Sequence, residues 1–308
     1  VPPYQEVVAY QKELIGLFGR EGWDIVHSHI NTLSVFSLRA AKQAGVPVRI
    51  AHSHSTSGKG EYAKNAVKRV LRRFSNSYPT HRIACSDKAG QWLFGERCDY
   101  TLFYNAIDLD SFAFDAVKRC RTRDALGIPE ETFVVGHVGR FMTQKNHAFL
   151  IAAFAKFNEL EPDSLLLLVG NGELFAQTEE LTAKLGIADR VRFLGYRSDS
   201  DCLYQAFDCF ALPSLYEGLP LVAVEAQRSG LRCLLSKAIT REVALTDGTE
   251  FLDIDSADEW ARAFEAVSKK RDRIDAPAGV FAAYNVDDAS SRLQDYYYDL
   301  ILGVQNAQ

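Results

Sequence analysis

Short apolar runs alternate with amphipathic stretches from one end of the 308-residue chain to the other, and few folds accept that pattern. A run such as Ser164-Leu-Leu-Leu-Leu-Val169 is too short for a buried helix and is continuous enough to be covered on both faces. The stretch after it takes the helical period, and the pair then repeats. A sandwich would join its strands by turns, and a bundle would lack the apolar runs. A parallel sheet flanked by helices, the α/β class, is what the alternation predicts.

In the first part of the chain the pattern predicts helix 4–20, strand 24–28, helix 34–44, strand 48–52, helix 61–75, strand 80–85, helix 87–94 and strand 100–103. Gly22, Gly45-Val46-Pro47 and Pro79 punctuate them. The polar stretch Lys118–Glu131, with Pro129, reads as a connector, so the expected domains are 1–131 and 132–285, with 286–308 as a terminal helical segment. The second domain continues with strand 132–138, helix 147–160, strand 164–169, helix 173–185, strand 190–194, helix 199–207, strand 208–212, helix 220–229 and strand 231–235. Such a succession describes a doubly wound domain whose ligand lies beyond the carboxyl ends of the strands. Asp255–Lys270 and Asp287–Leu302 read as closing helices, and Tyr296, Tyr297 and Tyr298 in the last are assigned to packing.

Composition narrows the function. A formal charge of −5 argues against a phosphate-backbone partner, so no nucleic acid is expected. No apolar stretch approaches the roughly 20 residues that cross a bilayer. The six cysteines form no C-x-x-C pair, and Cys85, Cys209 and Cys233 fall in apolar runs, which fits a reducing, cytoplasmic setting.

Two segments carry chemistry. Ser214–Glu225 follows a strand and enters a helix, with Pro220 where a missing N–H costs nothing. The helix start offers free amides and a positive dipole end to an anion such as a diphosphate. Glu225, about a turn and a half inside, has an acceptor-only carboxylate suited to a ribose diol, and Glu217 stands before the helix. Solvated surface glutamates are the plain alternative, but the Gly218–Pro220 helix start after an apolar strand argues for a site. The second segment is Val138–Asn146, where Arg140 and Lys145 meet another helix start and Asn146 is placed to cap it. The pair suits the charge that builds on a departing diphosphate. Gly170-Asn171-Gly172 reads as a tight turn.

These motifs, with Phe193-Leu194-Gly195 and Leu212-Pro213-Ser214 in the same order, resemble the donor domain of retaining glycosyltransferases of family 4, which have the GT-B fold. Asn105-Ala106-Ile107-Asp108 followed by Phe112 resembles that family's Asn-Gly-Val-Asp element, with alanine in place of glycine. Asp24–His29 and Ile50–Ser55 are similar to the exopolysaccharide and capsule type. The resemblance implies two Rossmann-like domains facing a cleft and a hexosyl unit moved, with retention, from a nucleotide-diphosphate sugar to a saccharide or lipid-linked saccharide. It implies that the last helix returns to the first domain and that neither cofactor nor metal is needed. It places Arg140 and Lys145 on the diphosphate and Glu225 on the ribose. Glu217, with the amides near Gly218 and Leu219, addresses the donor sugar, Gly172 borders the donor, Tyr196 and Arg197 lie beside the base, and His52 faces the reacting sugar. Members of the family open with a strand and a glycine-rich loop, whereas this chain opens at the helix before Asp24, so the first domain is expected to be incomplete.

Two other readings remain. His27/His29 and His52/His54 form two H-S-H pairs, each on one strand face, an arrangement that suits a metal-dependent hydrolase. An incomplete first domain would leave a non-catalytic nucleotide-sugar-binding fragment. Finally, Glu61–Phe74 carries Lys64, Lys68, Arg69, Arg72 and Arg73 on one side and Ala63, Val67, Val70, Leu71 and Phe74 on the other. Such a helix can lie on anionic lipid at the inner membrane face.

Overall fold

The computed structural model describes residues 1–3, 6–54 and 62–306, the side chains of 62–65 excepted. Tyr4 of the expected first helix, and Ser55 and Glu61, lie outside these residues, as does the Lys64 side chain. The chain divides into two compact units: Val1–Asn105 with Asp287–Gln308, and Ala106–Val286.

Unit 1 runs α1 (Val7–Glu21), β1 (Ile25–Ser28), α2 (Ser34–Gln43), β2 (Val48–Ser53), α3 (Tyr62–Arg72), β3 (His81–Ala84), α4 (Asp87–Phe94) and β4 (Thr101–Leu102). All strand pairs are parallel, in the order β1-β2-β3-β4. Val48, Ile50, Ile83 and Phe103 are buried, and Leu293, Tyr296, Tyr297, Leu300 and Val304 of the last helix pack against them. Tyr296 and Tyr297 therefore serve packing, whereas Tyr298 is exposed.

Unit 2 begins with α5 (Leu109–Phe112) and α6 (Ala116–Leu126), followed by β5 (Phe133–Val138), α7 (His147–Leu160), β6 (Ser164–Val169), α8 (Phe175–Lys184), β7 (Val191–Gly195), α9 (Ser200–Ala206), β8 (Cys209–Leu212), α10 (Leu221–Arg228), β9 (Arg232–Ser236), β10 (Thr249–Leu252) and α11 (Ala257–Ser268); α12 (Val286–Gln305) carries the chain back to unit 1. The sheet order is β10-β9-β8-β5-β6-β7, entirely parallel. Counted from β5 this is 3-2-1-4-5-6 with its direction reversed, the doubly wound dinucleotide-binding order, and the strand order turns around between β5 and β8. The core lies against β5 and β6, with α7 and α11 supplying Phe154, Phe157, Trp260 and Phe264, all fully buried. Every residue of β6 is buried, as its unbroken apolar run predicts.

One expectation is corrected. Lys118–Glu131 is mostly helix rather than connector, and the units divide at Asn105 rather than at 131. The Asp115 carboxylate accepts from the Val117 and Lys118 amides and so starts α6. The helix is then held by ions. Arg119 Nη2 and Arg123 Nη1 donate to Asp208 at 2.7 and 3.2 Å, and Arg123 Nη2 donates to Pro129 O at 2.7 Å. In α3 and just after it, Val67 and Val70 (each 57% exposed) and Phe74 (47%) face solvent.

Candidate functional site

The turn-around point of the unit 2 sheet lies between the loops that follow β5 and β8, and these loops carry both segments singled out by the sequence. They are tied together: Leu215 N donates to Gln144 O at 2.8 Å and Asn146 Nδ2 donates to Pro213 O at 3.3 Å. Asn146 occupies the capping position of α7 with φ +56°, but its side chain makes no cap hydrogen bond. The expected capping role is therefore replaced by a bond across the loops.

Lys145 Nζ donates to Glu217 Oε1 at 2.7 Å, and both side chains are largely buried. Glu217 also accepts from Ser214 Oγ at 2.8 Å and, at Oε2, from Gln144 Nε2 at 3.1 Å. A carboxylate with three donors on it is held in place. The ammonium keeps further N–H donors, since Lys carries three. Arg140 is exposed, and among the described residues its side chain makes no hydrogen bond or ion pair. Two cations, one anchored and one presented to solvent, thus stand at the carboxyl ends of β5 and β8.

Glycine permits the close approach of these loops. A Cβ on Gly139 would lie 3.3 Å from the Lys145 stem, and one on Gly172 would lie 2.4 Å from Phe141 O. Gly172 thus lets the turn after β6 press against the loop after β5. That turn is pinned further where Phe141 N donates to Asn171 O at 3.0 Å. Beneath it, His137 and His147 are buried with ring centroids 4.7 Å apart. Burial lowers both, His147 to about 4, with the nearby Lys145 charge acting in the same direction.

Glu225 lies in α10, half-buried, and accepts from the Tyr204 hydroxyl at 2.8 Å. Burial raises its pKa, while the Tyr204 hydrogen bond and Lys145 oppose the rise. Gly218 and Leu219 form the approach to α10, whose first turn follows Pro220. Tyr196 is 83% exposed beyond β7, and Arg197 is engaged by Asp199 through two bonds of 2.7 and 2.6 Å. The sequence reading missed Tyr204, Gln144 and Ser214 as members of this network. Ser214 stands three residues before Glu217 in the same loop and could have been found from that closeness; Tyr204, on α9, left no local signal.

His52 belongs to unit 1, near the end of β2. It is 6% exposed, with Nδ1 3.2 Å from His27 Nε2. His27, His29 and His52 each bring a ring nitrogen within 4.8 Å of the others, the one such group of three among the described residues.

Residues 118–277 match the family described as glycosyl transferases group 1. The chain belongs to that family. As a group 1 glycosyltransferase it is 41% identical over 224 residues to EpsF of Bacillus subtilis, named as a glycosyltransferase, a match covering 71% of this chain and 58% of EpsF. It thus spans somewhat over half the length of that relative. It is 27% identical to the UDP-Gal:alpha-D-GlcNAc-diphosphoundecaprenol alpha-1,3-galactosyltransferase of Escherichia coli over 94% of this chain and 80% of the relative. Among solved structures, Anabaena HepE with UDP and glucose superposes with a TM-score of 0.80 at 19% identity, over 97% of this chain and 84% of HepE. Sucrose-phosphate synthase from Thermosynechococcus elongatus gives 0.78 at 20%, over 97% of this chain and 79% of that one. The fold of this group 1 glycosyltransferase is the α/β fold of these structures, with two Rossmann-like units. The comparisons do not favour a metal-dependent hydrolase.

Proposed function

We propose that this group 1 glycosyltransferase is a retaining hexosyltransferase of family 4. It would take its sugar from a UDP-sugar and pass it to a saccharide or lipid-linked saccharide in exopolysaccharide or capsule synthesis. The observation that carries the reading is the Lys145–Glu217 pair at the turn-around point of the unit 2 sheet, with Arg140 exposed beside it. Glu217 positions Lys145, whose remaining N–H donors address the diphosphate, and Arg140 adds a bidentate clamp. Together they neutralise the charge that grows on the leaving diphosphate, so the transfer needs no divalent metal or other cofactor.

In the rest of the donor site, Glu225, oriented by Tyr204, accepts the two ribose hydroxyls. The α10 amides beyond Gly218 and Leu219, and the turn at Gly172, border the phosphates and the sugar. Tyr196, or the backbone at Arg197, lies by the base, and His52 addresses the reacting sugar. The choice of UDP follows HepE, described as bound to UDP and glucose, and the E. coli relative, named for UDP-Gal. The enzyme works at the cytoplasmic membrane face, where α3 rests on anionic lipid through Val67, Val70 and Phe74, with Arg69, Arg72 and Arg73 exposed alongside.

Incubation with UDP-glucose, UDP-galactose and UDP-N-acetylglucosamine in the presence of a lipid-linked saccharide, with product anomers assigned by NMR, tests the reading. An axial-to-axial transfer supports it; an inverted product rejects retention, and UDP binding without transfer or sugar release favours a non-catalytic fragment. Sedimentation with anionic and neutral liposomes tests α3, and equal recovery in both supernatants rejects the docking.

A further inference from the structure

The two H-S-H pairs end neighbouring parallel strands. β1 and β2 pair with His27 opposite Ile50, so the histidines beyond that point converge at the carboxyl edge of the unit 1 sheet. Their rings stack along each strand, with centroids 4.0 Å apart for His27 and His29 and 3.9 Å for His52 and His54. Across the strands the nitrogens approach in the same two-by-two array: His27 Nε2 lies 3.2 Å from His52 Nδ1, and His29 Nδ1 lies 2.9 Å from His54 Nε2. Zinc bonded tetrahedrally at its ordinary Zn–N length sets its ligand nitrogens about 3.3 Å apart. Each cross-strand pair is close to that spacing before any ion enters, and His27, His29 and His52 lie together within 4.8 Å, with His54 adjoining through His29.

The outer partners agree. His54 Nδ1 lies 3.0 Å from Asn105 Oδ1, an oxygen that can only accept, so Nδ1 carries the proton and Nε2 turns its lone pair toward His29. His27 Nδ1 meets the Tyr297 hydroxyl at 2.5 Å, which leaves Nε2 facing the array. Ligating histidines are oriented in this way, by an oxygen partner on the ring nitrogen away from the metal. No carboxylate belongs to the group among the described residues, and an all-imidazole set selects zinc, copper or nickel over magnesium or calcium.

We propose that His27, His29 and His52, with His54 completing the set, bind one divalent cation of the zinc class and so clamp β1 to β2 at their carboxyl ends. Asn105 and Tyr297 act on the cation only through the rings they orient. The site lies in unit 1 and does not use Lys145, although it shares His52 with the sugar-facing role proposed above. With no carboxylate in the group to serve as a base, it is assigned binding and no hydrolysis.

The test uses the full chain stripped by a chelator and titrated with Zn2+ against a chromophoric competitor, then loaded with Co2+ for its visible spectrum. The expected result is one equivalent bound, the intense visible bands of four-coordinate Co2+, and a raised melting temperature. Asn105→Ala should weaken binding about tenfold or more, as loss of an outer partner does, and the double change His29→Gln and His54→Gln should weaken it further. His81→Gln, outside the cluster, should leave binding unchanged. Loss of binding in His81→Gln, a stoichiometry that fails to saturate at one, or the pale spectrum of octahedral Co2+ would overturn the proposal. The spectrum of the unaltered chain decides the matter even if the double variant fails to fold.

Discussion

Lys145 and Glu217, 72 residues apart, join at 2.7 Å across the gap between the loops that follow β5 and β8. The bond makes one rigid object of two loops whose strands are neighbours in the sheet but not in the chain. If the ammonium also serves the diphosphate, Lys145→Ala removes a charge-assisted bond of about 1.5–3 kcal/mol and lowers UDP affinity about tenfold or more. Calorimetric titration with UDP measures this, and an unchanged dissociation constant would confine Lys145 to neutralising Glu217.

Glu225 is positioned by the Tyr204 hydroxyl rather than by its own helix. Glu225→Ala should weaken UDP by about tenfold, from one or two charge-assisted bonds lost, yet leave 2′-deoxy-UDP much less affected because one acceptor interaction is already missing. Tyr204→Phe should cause a smaller loss, since the carboxylate remains. Equal losses for UDP and its deoxy analogue would place Glu225 somewhere other than on the ribose.

Much of unit 2 was legible because its central strands are buried on both faces and therefore read as unbroken apolar runs, as at Ser164–Val169. What escaped lacks that signature. α6 hides among charges because it buries Arg123 rather than an apolar stripe, and its partner Asp208 lies far along the chain. β10 is a four-residue edge strand with Glu250 exposed in its middle, so neither length nor alternation marks it. In the site, Arg140, Lys145, Glu217 and Glu225 could be named from local context, whereas Tyr204 could not, because only the packing of α9 against α10 brings it to Glu225.

Gly170 tests how tightly the loops are fitted. At φ +135° an added Cβ would stand 2.1 Å from Gly139 O, so Gly170→Ala must displace backbone and should cost on the order of 3 kcal/mol. Gly195, at φ +64° with open space for 4 Å around the point where a Cβ would stand, should cost only about 1 kcal/mol on the same change. Urea unfolding of both variants measures the difference, and equal costs would mean that the strain is conformational only.

The histidines under the loops make the fold sensitive to acid. His137 and His147 are held neutral by burial, His147 down to about 4, whereas in the unfolded chain they take up protons near 6.5. Their contribution is therefore fully present above about pH 6.5 and is lost as the pH falls toward the folded values, at about 1.4 kcal/mol per unit for each. Between pH 7 and 5, His147→Gln should reduce the loss of stability by about 2 kcal/mol. Urea midpoints at the two pH values provide the check; parallel losses in both proteins would contradict it.

The return of α12 to unit 1 orders the birth of the molecule. Residues 106–286 leave the ribosome as one uninterrupted stretch and can reach their native sheet while synthesis continues. Val48, Ile50, Ile83 and Phe103 are made before unit 2, yet Leu293, Tyr296 and Leu300, which cover them, are made after it. While unit 2 is being made, the sheet of unit 1 thus keeps a greasy flank open to other nascent chains and to chaperones, and a ribosome that stalls before α12 releases a product with a folded unit 2 and an adhesive unit 1.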